Sequence, residues 1–153
     1  MGSWFGSSIT SGALAAFDFI NVMAYDIHNP YGTQGPIQSS SIPDSQTEMD
    51  YWVGRGVAKT KLNFGVPFYG FEWKPGASLA DSLTYAQILS TYGATAAASD
   101  EIQQNGTTVY FNSKATIQAK AKLAEGYGGV MAWELGQDAT GTSSLLRAIH
   151  DAL

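Results

Sequence analysis

The stretch Phe17-Asp18-Phe19-Ile20-Asn21-Val22-Met23-Ala24-Tyr25-Asp26 constrains the fold of this chain more than any other. It reads as a strand apolar on both faces, since alternation puts Phe19, Asn21, Met23 and Tyr25 on one side and Ile20, Val22 and Ala24 on the other. A strand that needs cover on both sides belongs in a parallel sheet flanked by helices. In such sheets ligand chemistry gathers at the carboxyl ends of the strands. Tyr25 and Asp26, at that end, are therefore the first candidate site residues.

Two more segments have the same character, Lys61-Leu62-Asn63-Phe64-Gly65-Val66-Pro67-Phe68-Tyr69-Gly70 and Gly126-Tyr127-Gly128-Gly129-Val130-Met131-Ala132-Trp133-Glu134. Helix signals lie between and after them. Residues 4–16 suggest a loop and a short helix. Gln46 to Arg55 has Met49, Trp52 and Val53 on one face, with Gly56 placed to stop it. Ser113 suits the N-cap of a helix carrying Ile117, Ala121 and Ala124, ended by Gly126. Thr142 or Ser143 is expected to cap a last helix through Leu145, Leu146 and Ile149. Three strand-helix units without a hairpin signal predict three parallel strands with helices on the outer side. Residues 71–111 are the least patterned. A helix at 84–92, a low-complexity run at 94–98 and a short strand at 107–111 suggest an insertion between the second and third strands, on the carboxyl-end face.

Composition narrows the function. With 44% apolar and 14% charged residues in 153, one packed α/β domain over 1–153 is expected, not disorder. A net charge of −5 argues against nucleic acid, which is bound through clustered Lys and Arg; an uncharged polymer fits better. No apolar run reaches the roughly 20 residues that span a bilayer, so no membrane partner is expected. Met1-Gly2-Ser3 does not read as a signal peptide and resembles an expression-vector start, which leads to the expectation of a fragment. There is no cysteine, and the two histidines, His28 and His150, are far apart, so neither a metal site nor a cofactor is expected.

Three motifs then stand in one order: Met23-Ala24-Tyr25-Asp26, Gly65-Val66-Pro67-Phe68-Tyr69-Gly70 and Gly128-Gly129-Val130-Met131-Ala132-Trp133-Glu134. Together they resemble the late barrel strands of glycoside hydrolase family 18, the chitinases. The resemblance implies a partial TIM (β/α)8 barrel made of its last three strand-helix units, because a whole barrel has eight strands and roughly 250 residues. It also implies a secreted parent enzyme that hydrolyses β-1,4 linkages between N-acetylglucosamine units.

The same resemblance gives Tyr25 a hydrogen bond to the sugar's N-acetyl group and Asp26 a part in shaping that subsite. It makes Trp133 the apolar floor under the sugar, Tyr69 a second wall, and Met23 and Met131 their neighbours. Where the family often has Arg after its Tyr-Gly, this chain has Phe71. Strand alternation turns Glu134 away from Trp133, towards an ion pair or a rim contact, and Asp138 is left ambiguous. Trp4, Tyr31, Trp73 and Tyr127 either extend an aromatic platform or simply pack, and His28 is most simply a loop hydrogen-bonding residue. For a lone Tyr-Asp pair, a core tyrosine and a loop-capping aspartate would be the simpler reading; three motifs in register reverse that preference.

The family's acidic strand, Asp-x-x-Asp-x-Asp-x-Glu, has no counterpart in this chain. Its Glu is the proton donor while the substrate's own acetamide attacks the anomeric carbon, an exception to two-carboxylate hydrolysis. The chain alone is thus expected to be inactive. Two readings stay open: part of a chitinase completed by the remainder of the barrel, or a non-catalytic module that binds chitooligosaccharide or self-associates.

Overall fold

The computed structural model describes residues 1–32, 35–93, 95 and 98–153; the low-complexity run at 94–98 lies mostly outside these. A 3-10 turn at Ser3–Ser8 and helix α1 (Ser11–Ala16) lead into β1 (Ile20–Val22). Then follow α2 (Ile42–Gly54), β2 (Leu62–Pro67), β3 (Tyr69–Trp73), β4 (Asp81–Thr84) and α3 (Tyr85–Tyr92). The chain continues through β5 (Glu101–Gln104), β6 (Thr107–Tyr110), α4 (Lys114–Ala124), β7 (Gly129–Trp133) and α5 (Leu145–Ala152). Strands β1, β2 and β7 form the parallel sheet in the order β1-β2-β7, with Val22 opposite Phe64 and Pro67 opposite Trp133.

Alternation explains which side of this sheet is covered. Val22, Ala24, Leu62, Phe64, Val66 and Phe68 point into a buried core with Met49 and Trp52 of α2, Ile117 and Ala121 of α4, and Leu145 of α5. The opposite face carries Phe19, 61% exposed, and Trp133, 54% exposed, and is open to solvent. Gly65 lies at the seam. A Cβ there would stand 2.1 Å from the Val22 carbonyl oxygen and 3.1 Å from the Tyr25 ring, so only glycine lets β1 and Tyr25 approach.

Several local readings need correction. The segment 61–70 is two strands, because Phe68 interrupts it: its N–H donates to the Trp133 carbonyl at 2.7 Å, while its own carbonyl accepts from Tyr85 N–H at 2.9 Å. Beyond that break β3 leaves the parallel sheet and joins an antiparallel one, in the order β4-β3-β6-β5. A hairpin is present after all. Asn105 (φ 52°) and Gly106 (φ 77°) join β5 to β6, and Asn-Gly is the dipeptide that such a two-residue turn favours. Helix α2 begins at Ile42 instead of Gln46, since the Ser41 side chain accepts from Asp44 N–H and Pro43 suits the first turn. Helix α5 is capped by Ser144, not by Thr142 or Ser143, and its Leu146 faces solvent.

Candidate functional site

The last paired residue of β1 is Val22, so Met23–Asp26 runs on beyond the sheet. Two hydroxyls hold it there: Ser40 Oγ and Ser45 Oγ donate to the Ala24 carbonyl at 3.1 and 2.7 Å. Tyr25 is buried, with its ring edge-on to Tyr69 at 6.2 Å. The Tyr69 hydroxyl donates to Asp26 Oδ1 at 2.8 Å. Asp26 itself has a φ of 55°, a left-handed conformation uncommon for a residue with a side chain.

These groups share one cavity of about 650 Å³, lined by Met23, Tyr25, Asp26, Tyr69, Met131 and Trp133 among others. Burial pushes the Asp26 carboxyl above its usual range, and the hydrogen bond from Tyr69 opposes that rise. Burial, then the Asp26 charge, pushes Tyr25 up to about 12 and Tyr69 still further. Both phenols therefore keep their protons at neutral pH. A half-buried carboxylate, two phenol hydroxyls and an apolar floor suit an uncharged ligand with hydroxyl and amide groups.

Glu134 is exposed and forms no ion pair among the described residues. Asp138 is structural. Its carboxylate accepts from the N–H groups of Ala139, Leu145 and Leu146 and from Ser144 Oγ, at 2.7–3.0 Å, and so fastens the start of α5. His28, in the loop after β1, pairs with Asp44 in the first turn of α2 at 3.3 Å. Trp73 is buried against Phe71 and Tyr110, and Tyr127 packs on Phe64, so both serve packing. Trp4 is exposed beside Phe5. Tyr31 lies edge-on to the buried Phe71 at 5.7 Å, on a smaller hollow of about 200 Å³ that adjoins Asp26.

One group escaped the sequence reading. Lys120 of α4 is fully buried, and its ammonium donates to Ser40 O, Ser40 Oγ and Asn112 Oδ1, each at 2.7 Å. Burial pushes it down to about 7, against the pull of Asp100 and Asp44. The signal was available: Lys120 occupies the i+3 position of the stripe Ile117, Ala121, Ala124, where an apolar residue is expected. Among the described residues no group of three or more His, Cys, Asp or Glu side chains is gathered to hold a metal, and no helix is long and apolar enough to cross a membrane.

Residues 6–138 match the sequence profile "Glycosyl hydrolases family 18". The chain belongs to glycoside hydrolase family 18. It is 39% identical to the family 18 chitinase ChiB from the chitin utilization locus of Flavobacterium johnsoniae, with a TM-score of 0.84 over 94% of this chain and 45% of that one. A chitinase from Bacteroides thetaiotaomicron is 30% identical, with a TM-score of 0.81 over 93% of this chain and 47% of that chain. An endochitinase from Brugia malayi is 26% identical over 90% of this chain and 36% of its own length. The α/β fold of this family member is thus TIM-barrel-like, and the chain spans less than half the length of these relatives.

Proposed function

We propose that this chain is the subsite-bearing C-terminal part of a chitinase barrel, holding an N-acetylglucosamine unit during substrate-assisted, retaining hydrolysis of β-1,4 linkages. The observation that carries the reading is the Tyr69–Asp26 hydrogen bond beside Tyr25, in a cavity floored by Trp133. Names of the similar proteins, chitinases and an endochitinase, support the substrate class.

In this reading the protonated Tyr25 hydroxyl donates to the acetamide oxygen and holds it below the anomeric carbon. Asp26, itself held by Tyr69, faces the acetamide nitrogen, whose positive character grows as the oxygen attacks. Trp133 stacks under the sugar ring, and Met23 and Met131 fill the space beside it. The proton donor to the leaving oxygen comes from the remaining strand-helix units, because this chain lacks the acidic strand. General acid catalysis contributes about 10²–10⁴-fold, so the chain alone does not turn over. The parent enzyme works outside the cell, where an insoluble polymer is found.

Calorimetric titration with chitotetraose tests the reading. Binding is expected, about 2- to 10-fold weaker for Tyr25→Phe, which loses one hydrogen bond. For Trp133→Ala, which loses an aromatic anchor worth about 2 kcal/mol, the loss is roughly 30-fold. Undiminished binding by both variants would sink it, as would release of reducing ends by the pure chain that Asp26→Ala abolishes.

A further inference from the structure

Asp26 needs an explanation that its own neighbours do not supply. A non-glycine residue at a φ of 55° persists only where the surroundings hold it. The backbone on both sides of it is fastened to the Ser39–Ser40 stretch, and before it also to α2, where Ser45 Oγ donates to the Ala24 carbonyl at 2.7 Å. Before it, the Ala24 carbonyl accepts from Ser40 Oγ at 3.1 Å; after it, Ile27 N–H donates to the Ser39 carbonyl at 3.0 Å. Ser39 and Ser40 lie in the connection to α2, where a loop would ordinarily be mobile.

Lys120 is what holds that loop. All three ammonium hydrogens are used, two of them on Ser40 and one on Asn112, whose Nδ2 returns to the Ser40 carbonyl at 3.0 Å. None of the three acceptors is a carboxylate, so ion pairing does not account for a fully buried cation. An apolar side chain in this slot would avoid the desolvation cost. Only an ammonium engages both Ser40 oxygens and Asn112 at once. The Gln38 side chain completes the clamp, donating to the Phe111 carbonyl at 2.8 Å and accepting from Ser40 N–H at 3.1 Å.

We propose that Lys120 is a positioning residue for Asp26: through Ser39 and Ser40 it fixes the backbone on both sides of the carboxylate and keeps it turned towards Tyr69. Its value for a bound sugar rests on the function proposed above, whereas the test uses no sugar, so each fails separately. In the full chain, Lys120→Met and Ser40→Ala are compared with the wild type by two NMR measurements. One is the exchange rate of the Ile27 amide relative to the amides of β2; the other is the titration midpoint of the Asp26 carboxyl.

In folded Lys120→Met, Ile27 exchange is expected to accelerate about tenfold more than that of the β2 amides. The Asp26 midpoint should move down towards the ordinary carboxylate range as the side chain reaches water. An unchanged exchange ratio with an unchanged midpoint would make Lys120 a packing residue and overturn the proposal. If Lys120→Met does not fold, Ser40→Ala decides, because it deletes only the hydroxyl between Nζ and Ala24 and keeps the carbonyl. Both shifts are then expected with the same sign and smaller size, and their absence overturns the proposal equally.

Discussion

Asp26 holds its charge at a cost. Burial raises its pKa in the folded chain, so its contribution to stability is full below the ordinary carboxylate range and is lost as pH climbs through the raised value. Asp26→Asn, which keeps an oxygen to accept from Tyr69, should therefore raise the Tm at pH 7, with the gain vanishing near pH 3. Calorimetry at the two pH values checks this, and an equal or lower Tm at pH 7 refutes it. The motifs made Tyr25, Asp26, Tyr69 and Trp133 legible as candidates, and strand alternation showed which of them share a face. Their hydrogen bonds were not legible. The Tyr69–Asp26 bond depends on the left-handed turn at Asp26, and Lys120 reaches it from 94 positions along the chain through a buried network, which no local pattern encodes.

At the scale of elements, the seam between β1 and β2 is the tightest feature of the parallel sheet. Gly65→Ala puts a methyl against the Val22 carbonyl, and backbone gives less readily than a flexible side chain. Overpacking of this kind costs about 3 kcal/mol. For a chain of this length that is a fall of about 6–12 °C in Tm, accompanied by weaker sugar binding because Tyr25 must move. A loss below about 2 °C would show that the seam relaxes. The helices were legible because their stripes and caps are local: Ser113 caps α4, and Thr84 forms a capping box with Gln87 at α3. The antiparallel sheet was not. Its strands are four or five residues long, and β3 continues the apolar run of β2 past Pro67 with no intervening polar loop. Its local signs were the short strand at 107–111 and the Asn105-Gly106 turn before it.

For the whole molecule the open face decides behaviour in solution. Phe19 and Trp133 stand exposed there, β7 has no strand on its outer edge among the described residues, and the outer edge of β1 is met only by Met1, whose carbonyl accepts from Met23 N–H at 2.9 Å. Burying one such side chain is worth about 1.5–3 kcal/mol. Covering the face thus gains an appreciable part of the roughly 5–15 kcal/mol that keeps a domain folded. The chain should associate, with itself when alone and with the remaining strand-helix units when they are supplied. Light scattering at micromolar concentration is expected to give an oligomer; a monomer that binds no exposed-surface dye would refute the partial-barrel reading. The sequence pointed to this face through the alternation of apolar residues in β1 and β7, yet its exposure follows from strand number, a property of no single segment.

Phe68 has a mechanical consequence. Its N–H donates to Trp133 of the parallel sheet and its carbonyl accepts from Tyr85 at the start of α3, so this one buried residue ties β7 to the segment that follows β4. Rigid-body opening of the antiparallel sheet would break one of these bonds, whichever side Phe68 followed. Entry of a ligand is therefore a matter of rotating exposed rings such as Trp133 and Tyr31, on the nanosecond scale of side-chain motion, instead of the slower swing of a lid.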